Sequence, residues 1–330
     1  MEIKEQTKKM KEMINGYKLT YLIMSANNIG LFNILEDKGK TLTQIAVELN
    51  LEKDRIEPIL NGLTFHKIIS KNKDSYYLEE YNEVLNKNSE YNQLGYIKFA
   101  QTIIKRYENL ENAIKNKEAA TNSFKELTEK DAESFMQGMN ANAINPSKFI
   151  AENYDFDNHT ILDVAAGAGT YSITVAKKYK NVTAKMIDLP EMVKIQNKRI
   201  HQEGLEDRLT SEIYDYNINF PTGNYDDVFL FAVVHQEPEE QVRKLLENIY
   251  HVLKPNGRLF LTSFFLNEDK ISPEYSVQFA IEMLINTEKG KAYTHNEIQN
   301  LMKKSQFKEI ERVDEIPGPA TLYIAKKIIS

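Results

Sequence analysis

Two regimes of hydrophobic patterning divide this chain of 330 residues. In the first half, apolar positions recur at helical spacing. Lys18 to Leu35 reads as helix, ending near Lys38-Gly39. Thr41 or Thr43 can cap a helix that takes in Leu42, Ile45 and Ala46, and Asp54 can cap a second one from Arg55 to Phe65. Ile68 to Leu78 then reads as a hairpin, two short strands around a polar turn. Tyr91 to Tyr107 and Asp131 to Ile150 read as further helices, separated by a short surface connection from Asn112 to Asn122. No internal repeat is visible.

The second half breaks into short apolar runs. Thr160 to Val164 is β-branched and apolar without alternation, the pattern of a strand buried on both faces. A small-residue turn follows, in which Gly167 and Gly169 allow a ligand to approach the backbone. A helix from Tyr171 to Lys178 and a strand from Ala184 to Ile187 come next, delivering Asp188 at the strand's carboxyl end. In a doubly wound sheet, ligands bind there, and a carboxylate can hold both ribose hydroxyls. Two cofactor types fit. A dinucleotide fingerprint asks for a third glycine where this chain has Ser172, and Asp163 beside the turn is a poor neighbour for a pyrophosphate. A carboxylate there suits a ligand carrying an ammonium group, such as the methionine moiety of S-adenosylmethionine. The turn by itself is also compatible with an ordinary strand–turn–helix that holds no ligand.

Composition narrows the classes. The chain is long enough for two domains with their own cores, and 42% hydrophobic with 27% charged residues is the balance of a globular protein. Without cysteine there is no disulfide framework, thiolate nucleophile or cysteine metal site. Met1 to Met13 is too charged for a secretory signal, and no apolar run approaches the roughly 18 residues of a membrane span, so the expected compartment is the cytoplasm. A net charge of −6 argues against general affinity for nucleic acid or anionic lipid. The helices and hairpin of the amino half describe a winged helix, whose default role is DNA binding. Charge decides against it: Thr41 to Glu83 holds five basic residues against eight acidic ones, whereas phosphate contacts need a basic face.

Several segments, in order, resemble the S-adenosylmethionine-dependent small-molecule O-methyltransferases of the plant type and their bacterial relatives. They are Asp163-Val164-Ala165-Ala166-Gly167-Ala168-Gly169, similar to that family's D-x-G-x-G-x-G turn; Asp188-Leu189-Pro190; and Tyr214-Asp215-Tyr216. Tyr225-Asp226-Asp227-Val228 then leads through Phe231 to His235, and Leu253-Lys254-Pro255-Asn256-Gly257-Arg258-Leu259 follows. Asn267-Glu268-Asp269 and Gly290-Lys291-Ala292-Tyr293-Thr294 match a bacterial branch. The resemblance implies an α/β Rossmann-like class I methyltransferase domain with a mostly parallel seven-stranded sheet over 146–330. A mainly helical winged-helix dimerisation domain would occupy 1–90, and helices lining the active site 91–145. It further implies a homodimer with intertwined first helices and a small-molecule acceptor, with no nucleic acid, membrane or metal. Asp163, Ala165, Gly167, Gly169, Asp188, Leu189, Asp215, Tyr216 and Phe231 would hold S-adenosylmethionine, with S-adenosylhomocysteine as product. Phe135 and Met139 on one side, and Phe279 and Met283 on the other, would wall an apolar acceptor pocket.

By the same resemblance His235 is the base that deprotonates a hydroxyl of an aromatic or enolic acceptor as the methyl moves. His66, His159, His201, His251 and His295 match no catalytic position and form no metal motif. Two departures stand out. Plant members orient the histidine with glutamates where this chain has Ser263 and Ala292, and the first glycine of the turn is Ala165. Reference pKa values of about 6.5 for histidine and about 10 for a phenol leave full proton transfer uphill by about 5 kcal/mol. Concerted transfer, a more acidic enol or heteroaromatic hydroxyl, or C- or N-methylation would each remove the difficulty. A non-catalytic S-adenosylmethionine-sensing regulator and a nicotinamide oxidoreductase are the other classes the sequence allows.

Overall fold

The computed structural model describes residues 3–35, 39–116 and 129–329, the side chains of 129–135 excepted. The chain divides into two compact units, Met1–Thr102 and Ile103–Ser330.

The first unit begins with α1 (Ile3–Asn15), α2 (Tyr17–Asn28) and α3 (Leu31–Ile34). The single helix expected from Lys18 to Leu35 is interrupted because Gly30 takes a left-handed φ of +80°. Next come β1 (Lys40–Thr41), α4 (Leu42–Glu48), α5 (Lys53–Phe65), β2 (Ser70–Asn72), β3 (Ser75–Tyr77) and α6 (Asn82–Leu85). Thr41 closes a capping box with Gln44 at the start of α4, as its position predicts. Asp54 does not cap α5: the helix starts two residues earlier, at Lys53, Glu52 occupies the cap, and Asp54 lies in the first turn, where its charge suits the helix dipole. β2 and β3 pair antiparallel with Asn72 opposite Ser75, and β1 adds to the outer side of β3. Leu31, Phe32, Ile45, Ile56, Leu60, Ile69 and Tyr76 form the core of this winged-helix arrangement. α7 (Leu94–Tyr107) spans the boundary between the units.

The second unit opens with α8 (Leu110–Asn116), so the first part of the expected connection is helical, and the rest of it, 117–122, lies outside the described residues. Helix α9 (Glu129–Asn153) leads into the sheet. The alternating part runs β4 (Thr160–Val164), α10 (Thr170–Lys178), β5 (Thr183–Asp188), α11 (Pro190–Glu203), β6 (Leu209–Ile213), β7 (Tyr225–Phe231), α12 (Glu239–Val252) and β8 (Leu253–Ser263). It ends with α13 (Glu274–Asn286), α14 (His295–Lys304), β9 (Lys308–Val313) and β10 (Thr321–Lys326). The seven strands lie in the order β6-β5-β4-β7-β8-β10-β9; β10 is antiparallel to both neighbours, and the other pairs are parallel. Successive strands are added to one side of β4 up to β6 and to its other side from β7 onward, so the crevice for a ligand falls at the carboxyl ends of β4 and β7.

Alternate side chains of each strand feed two cores. Leu162, Val164, Val228 and Leu230 pack on one face with Val242, Leu245, Leu246 and Ile249 of α12. Ile161, Phe229 and Phe260 pack on the other with Ile173 and Ala176 of α10. At the amino ends of the strands, the fully buried Asp227 is held by Arg258 (Nε donating at 2.6 Å, Nη2 at 3.0 Å) and by His159 Nδ1 at 2.6 Å. Asp226 accepts from the Thr160 backbone N–H and from Lys254, each at 2.8 Å. This clasp ties β4, β7 and β8 at the end opposite the crevice, a structural use of the Asp226-Asp227 pair.

Candidate active site

The crevice is built from the carboxyl ends of β4, β5, β6 and β7. After β4, Ala165, Gly167 and Gly169 all take left-handed φ values, of +53°, +56° and +71°. A side chain at Gly169 would meet Met186 Sδ at 2.7 Å, whereas one at Gly167 would meet only Met136 Cε at 3.7 Å. Gly169 is thus demanded by packing as well as by backbone. Ala165 adopts the conformation that a glycine takes without strain, at a cost of about 1 kcal/mol.

Asp163 and Asp188 flank this turn. Asp163 is buried, and its Oδ2 accepts from Ser172 Oγ at 2.7 Å, so the residue standing where a third glycine was sought holds the carboxylate. Burial, reinforced by Asp188, pushes Asp163 up to about 7, against the Ser172 bonds that pull it down. A buried carboxylate with no cation beside it among these partners is matched to a ligand that brings an ammonium group. Asp188 ends β5, accepting from Gly167 N–H and Leu189 N–H at 2.7 Å each. Burial raises it to about 6 despite those donors. Leu189 caps α11, and Pro190 takes the first helical position, where its missing N–H costs nothing.

Four residues of this site escaped sequence reading. Gln196, fully buried on α11, donates to Gly167 O at 2.8 Å and Asp188 Oδ2 at 3.3 Å, and accepts from Ser211 Oγ. The only signal was an amide among the apolar Met192, Val193 and Ile200 on one helical face. Arg199 donates to Ala168 O and to Thr170 Oγ1 at 3.0 Å, and Thr170 donates to Asn140 at 2.7 Å, tying α11, α10 and α9 to the turn.

After β6, Tyr214 N–H bonds to Asp188 O at 3.0 Å, which brings Tyr214-Asp215-Tyr216 beside the turn. Asp215 Oδ1 accepts from Asn217 N–H at 3.1 Å, and the Tyr216 hydroxyl donates to Glu237 at 3.0 Å. Burial and then Glu237 hold that phenol far above its usual range. Phe231, at the end of β7, packs on Tyr171 with ring centroids 3.9 Å apart.

His235 follows β7 in a 3-10 turn (Val234–Gln236), two residues beyond Val233 and after Ala232 at φ +57°. Its ring is buried, with Nδ1 3.1 Å from Ser263 Oγ at the end of β8. Phe279 packs edge-on at 4.7 Å, and Phe264 lies at 6.2 Å. Burial alone lowers His235 to about 3. Nε2 makes no hydrogen bond among the described residues. Met283 joins Phe279, Leu266 and Ala292 in one apolar cluster. Met139 packs instead with Met136, Ala168 and Met192 against the cofactor turn. The Phe135 side chain lies outside the described residues. Among the described residues no group of three or more His, Asp or Glu side chains could hold a metal ion, and no helix is long and apolar enough to cross a membrane.

The turn, the two carboxylates and the histidine at one end of a doubly wound sheet define a class I methyltransferase fold. The pattern of the O-methyltransferase domain family matches residues 107–308, and the chain belongs to that family. It is a SAM-dependent methyltransferase, which sets aside the nicotinamide reading. It is 24% identical to the S-adenosyl-L-methionine-dependent methyl transferase PigF of Serratia sp., over 94% of this chain and 93% of that protein. It is also 24% identical to acetylserotonin O-methyltransferase of Gallus gallus, over 90% and 91% of the two chains. Human N-acetylserotonin methyltransferase, solved in complex with SAM, superimposes with a TM-score of 0.87 at 19% identity, covering 98% of each chain.

Proposed function

We propose that this enzyme transfers the methyl group of S-adenosylmethionine to a hydroxyl oxygen of a small aromatic or enolic molecule, with His235 taking the hydroxyl proton. The observation that carries the reading is the position of His235: a buried imidazole at the carboxyl end of β7, beside the β4 turn, with Nδ1 turned to Ser263. When bound, S-adenosylmethionine supplies an electrophilic methyl group together with its own leaving group. Asp163 fits its ammonium group. Asp188 Oδ1 accepts only the Leu189 N–H and retains a lone pair for a ribose hydroxyl, while Gly167 N–H and Gln196 occupy Oδ2. Ala165, Gly167, Gly169 and Leu189 shape the backbone around it, and Asp215, Tyr216 and Phe231 face the adenine end. Phe279 and Met283 give an apolar wall that excludes water and aligns a flat acceptor for in-line attack. The reaction as proposed is metal-independent.

A homodimer is part of the reading. No residue of α1 is buried. Met10, Met13, Ile14, Tyr17 and Tyr21 follow i, i+3, i+4, i+7 and i+11 spacing, and each is more than half exposed. A stripe of that kind running from α1 into α2 suits the same stripe of a second copy.

The test is mass spectrometry of reactions containing SAM, a chelator and a panel of phenols, enols, indoles and quinones, with NMR to locate the methyl. The expected product is heavier by one methylene, carries the methyl on oxygen, and falls at least ~100-fold with His235→Ala. A methyl on carbon or nitrogen refutes the hydroxyl acceptor. Full activity in His235→Ala refutes the base.

A further inference from the structure

The end of β8, helix α13 and the segment before α14 pack against His235, and among the described residues none presents it with a charge. From β8 come the Ser263 hydroxyl and the Phe264 ring; from α13, the Phe279 ring edge. From the segment before α14, Lys291 N–H donates to His235 O at 2.9 Å, but the Lys291 ammonium reaches away to Glu297. Glu237, two residues on, accepts from Tyr216 and Asn217, and the Tyr293 hydroxyl donates to the Glu237 carbonyl. Ala292 contributes only apolar packing, and Glu282 on α13 faces Arg106 and Tyr107. A histidine so placed can be oriented by its neighbours but not made more basic by them. Burial pushes it the other way, to about 3, and an imidazolium formed there would find no counter-ion among the described residues.

We propose that the oxyanion is supplied by the acceptor's own acidity: the substrate carries a hydroxyl that ionises near or below neutral pH, such as an enolised dicarbonyl or a phenol conjugated to a carbonyl or ring nitrogen, and Ser263 is the positioning residue that orients His235 toward it. This rests on the reading of His235 as the group that meets the acceptor hydroxyl. The serine hydroxyl can accept from Nδ1–H, leaving a lone pair at Nε2, or donate to Nδ1, leaving an Nε2–H for an oxygen that is already anionic. A carboxylate at the same place would permit only the first arrangement. Proton bookkeeping closes in both: the hydroxyl proton goes to Nε2 or to solvent before the carbon–oxygen bond forms, and the carbon–sulfur bond breaks as it does.

The experiment measures kcat/KM at pH 7 for a series of hydroxyl acceptors of similar shape, with pKa values from about 10 to about 6. A hydroxyl of pKa about 7 is ionised about 500-fold more than a simple phenol of about 10. Its oxyanion is a weaker nucleophile, which takes back part, so an advantage of at least tenfold is expected. With the least acidic acceptor the rate should climb through pH 9 without an inflexion near 6.5. Ser263→Ala should lower kcat about tenfold while leaving the affinity for S-adenosylhomocysteine unchanged, and Ser263→Thr should restore it. Ser263→Glu should favour the plain phenols and add an inflexion near neutrality. A flat acidity series, or a histidine inflexion in the wild type, overturns the inference while leaving the methyltransferase reading intact. If S-adenosylhomocysteine binds but no hydroxyl in the series is methylated, the hydroxyl reading itself fails and takes the inference with it. The wild-type series decides even where a variant does not fold.

Discussion

Gln196 offers a sharp test of how the cofactor turn is held. Gln196→Met keeps most of the volume and deletes three hydrogen bonds. The two neutral ones, to Gly167 O and from Ser211, contribute about 0.5–1.5 kcal/mol each. The third meets the Asp188 carboxylate but is long at 3.3 Å, so it belongs at the low end of the range of about 1.5–3 kcal/mol for bonds to charged groups. Asp188 keeps the N–H groups of Gly167 and Leu189 and is not orphaned. A total of about 2.5–4.5 kcal/mol is then shared between folding and ligand affinity. Two of the three bonds tie groups assigned to the cofactor. If about half the loss appears in binding, the Kd for S-adenosylhomocysteine rises roughly tenfold, or about 1.4 kcal/mol. Isothermal titration calorimetry reads that rise, with urea unfolding alongside to record the folding share. Ser211→Ala removes only the outer bond and should change Kd less than about threefold. Binding of the Gln196→Met protein within twofold of wild type would refute the reasoning, as would a Ser211→Ala effect equal to it.

Three further outcomes are expected. Asp163 is costly as a buried anion: the rise from 3.8 to about 7 makes the ligand-free fold less stable as pH climbs from about 4 to 7, by up to about 4 kcal/mol. Asp163→Asn should therefore raise Tm at pH 8 and abolish S-adenosylhomocysteine binding; a lowered Tm at that pH would count against the assignment. Asp227→Asn, which strips the buried partner from Arg258 and His159, should cost about 3–5 kcal/mol in urea unfolding. Within that clasp the Asp227 hydrogen bond holds His159 above 6.5, so its stabilisation is full below 6.5 and fades as pH rises through the folded value. His159→Gln should accordingly matter at pH 6 and not at pH 9, by no more than about 1 kcal/mol for this partly exposed side chain. Ile14→Glu in the exposed stripe of α1 should shift the light-scattering mass from dimer to monomer, and an unchanged dimer would place the interface elsewhere.

Much of the architecture was written in local pattern. The run from Thr160 to Val164, the small turn and Asp188 at the next strand end are set by short-range sterics and hydrophobicity, and the structure places them as the spacing implies. The Thr41 capping box needs only residues three apart, so it too was legible. The break at Gly30 and the true start of α5 were harder, because helical periodicity does not register a single left-handed residue or choose between adjacent acidic caps. What the sequence by itself determined was the order of elements and the residue types at the strand ends. Only the tertiary structure decided who meets whom: Ser172 with Asp163, Gln196 with Gly167 and Asp188, Ser263 with His235, Asp227 with Arg258. Hydrogen bonds and ion pairs act over about 3 Å, whereas these partners lie 8 to 31 positions apart, and only the sheet order brings them within reach. The uncharged setting of His235 among the described residues is of the same kind, because burial and dielectric are properties of the packed surroundings and not of the residue.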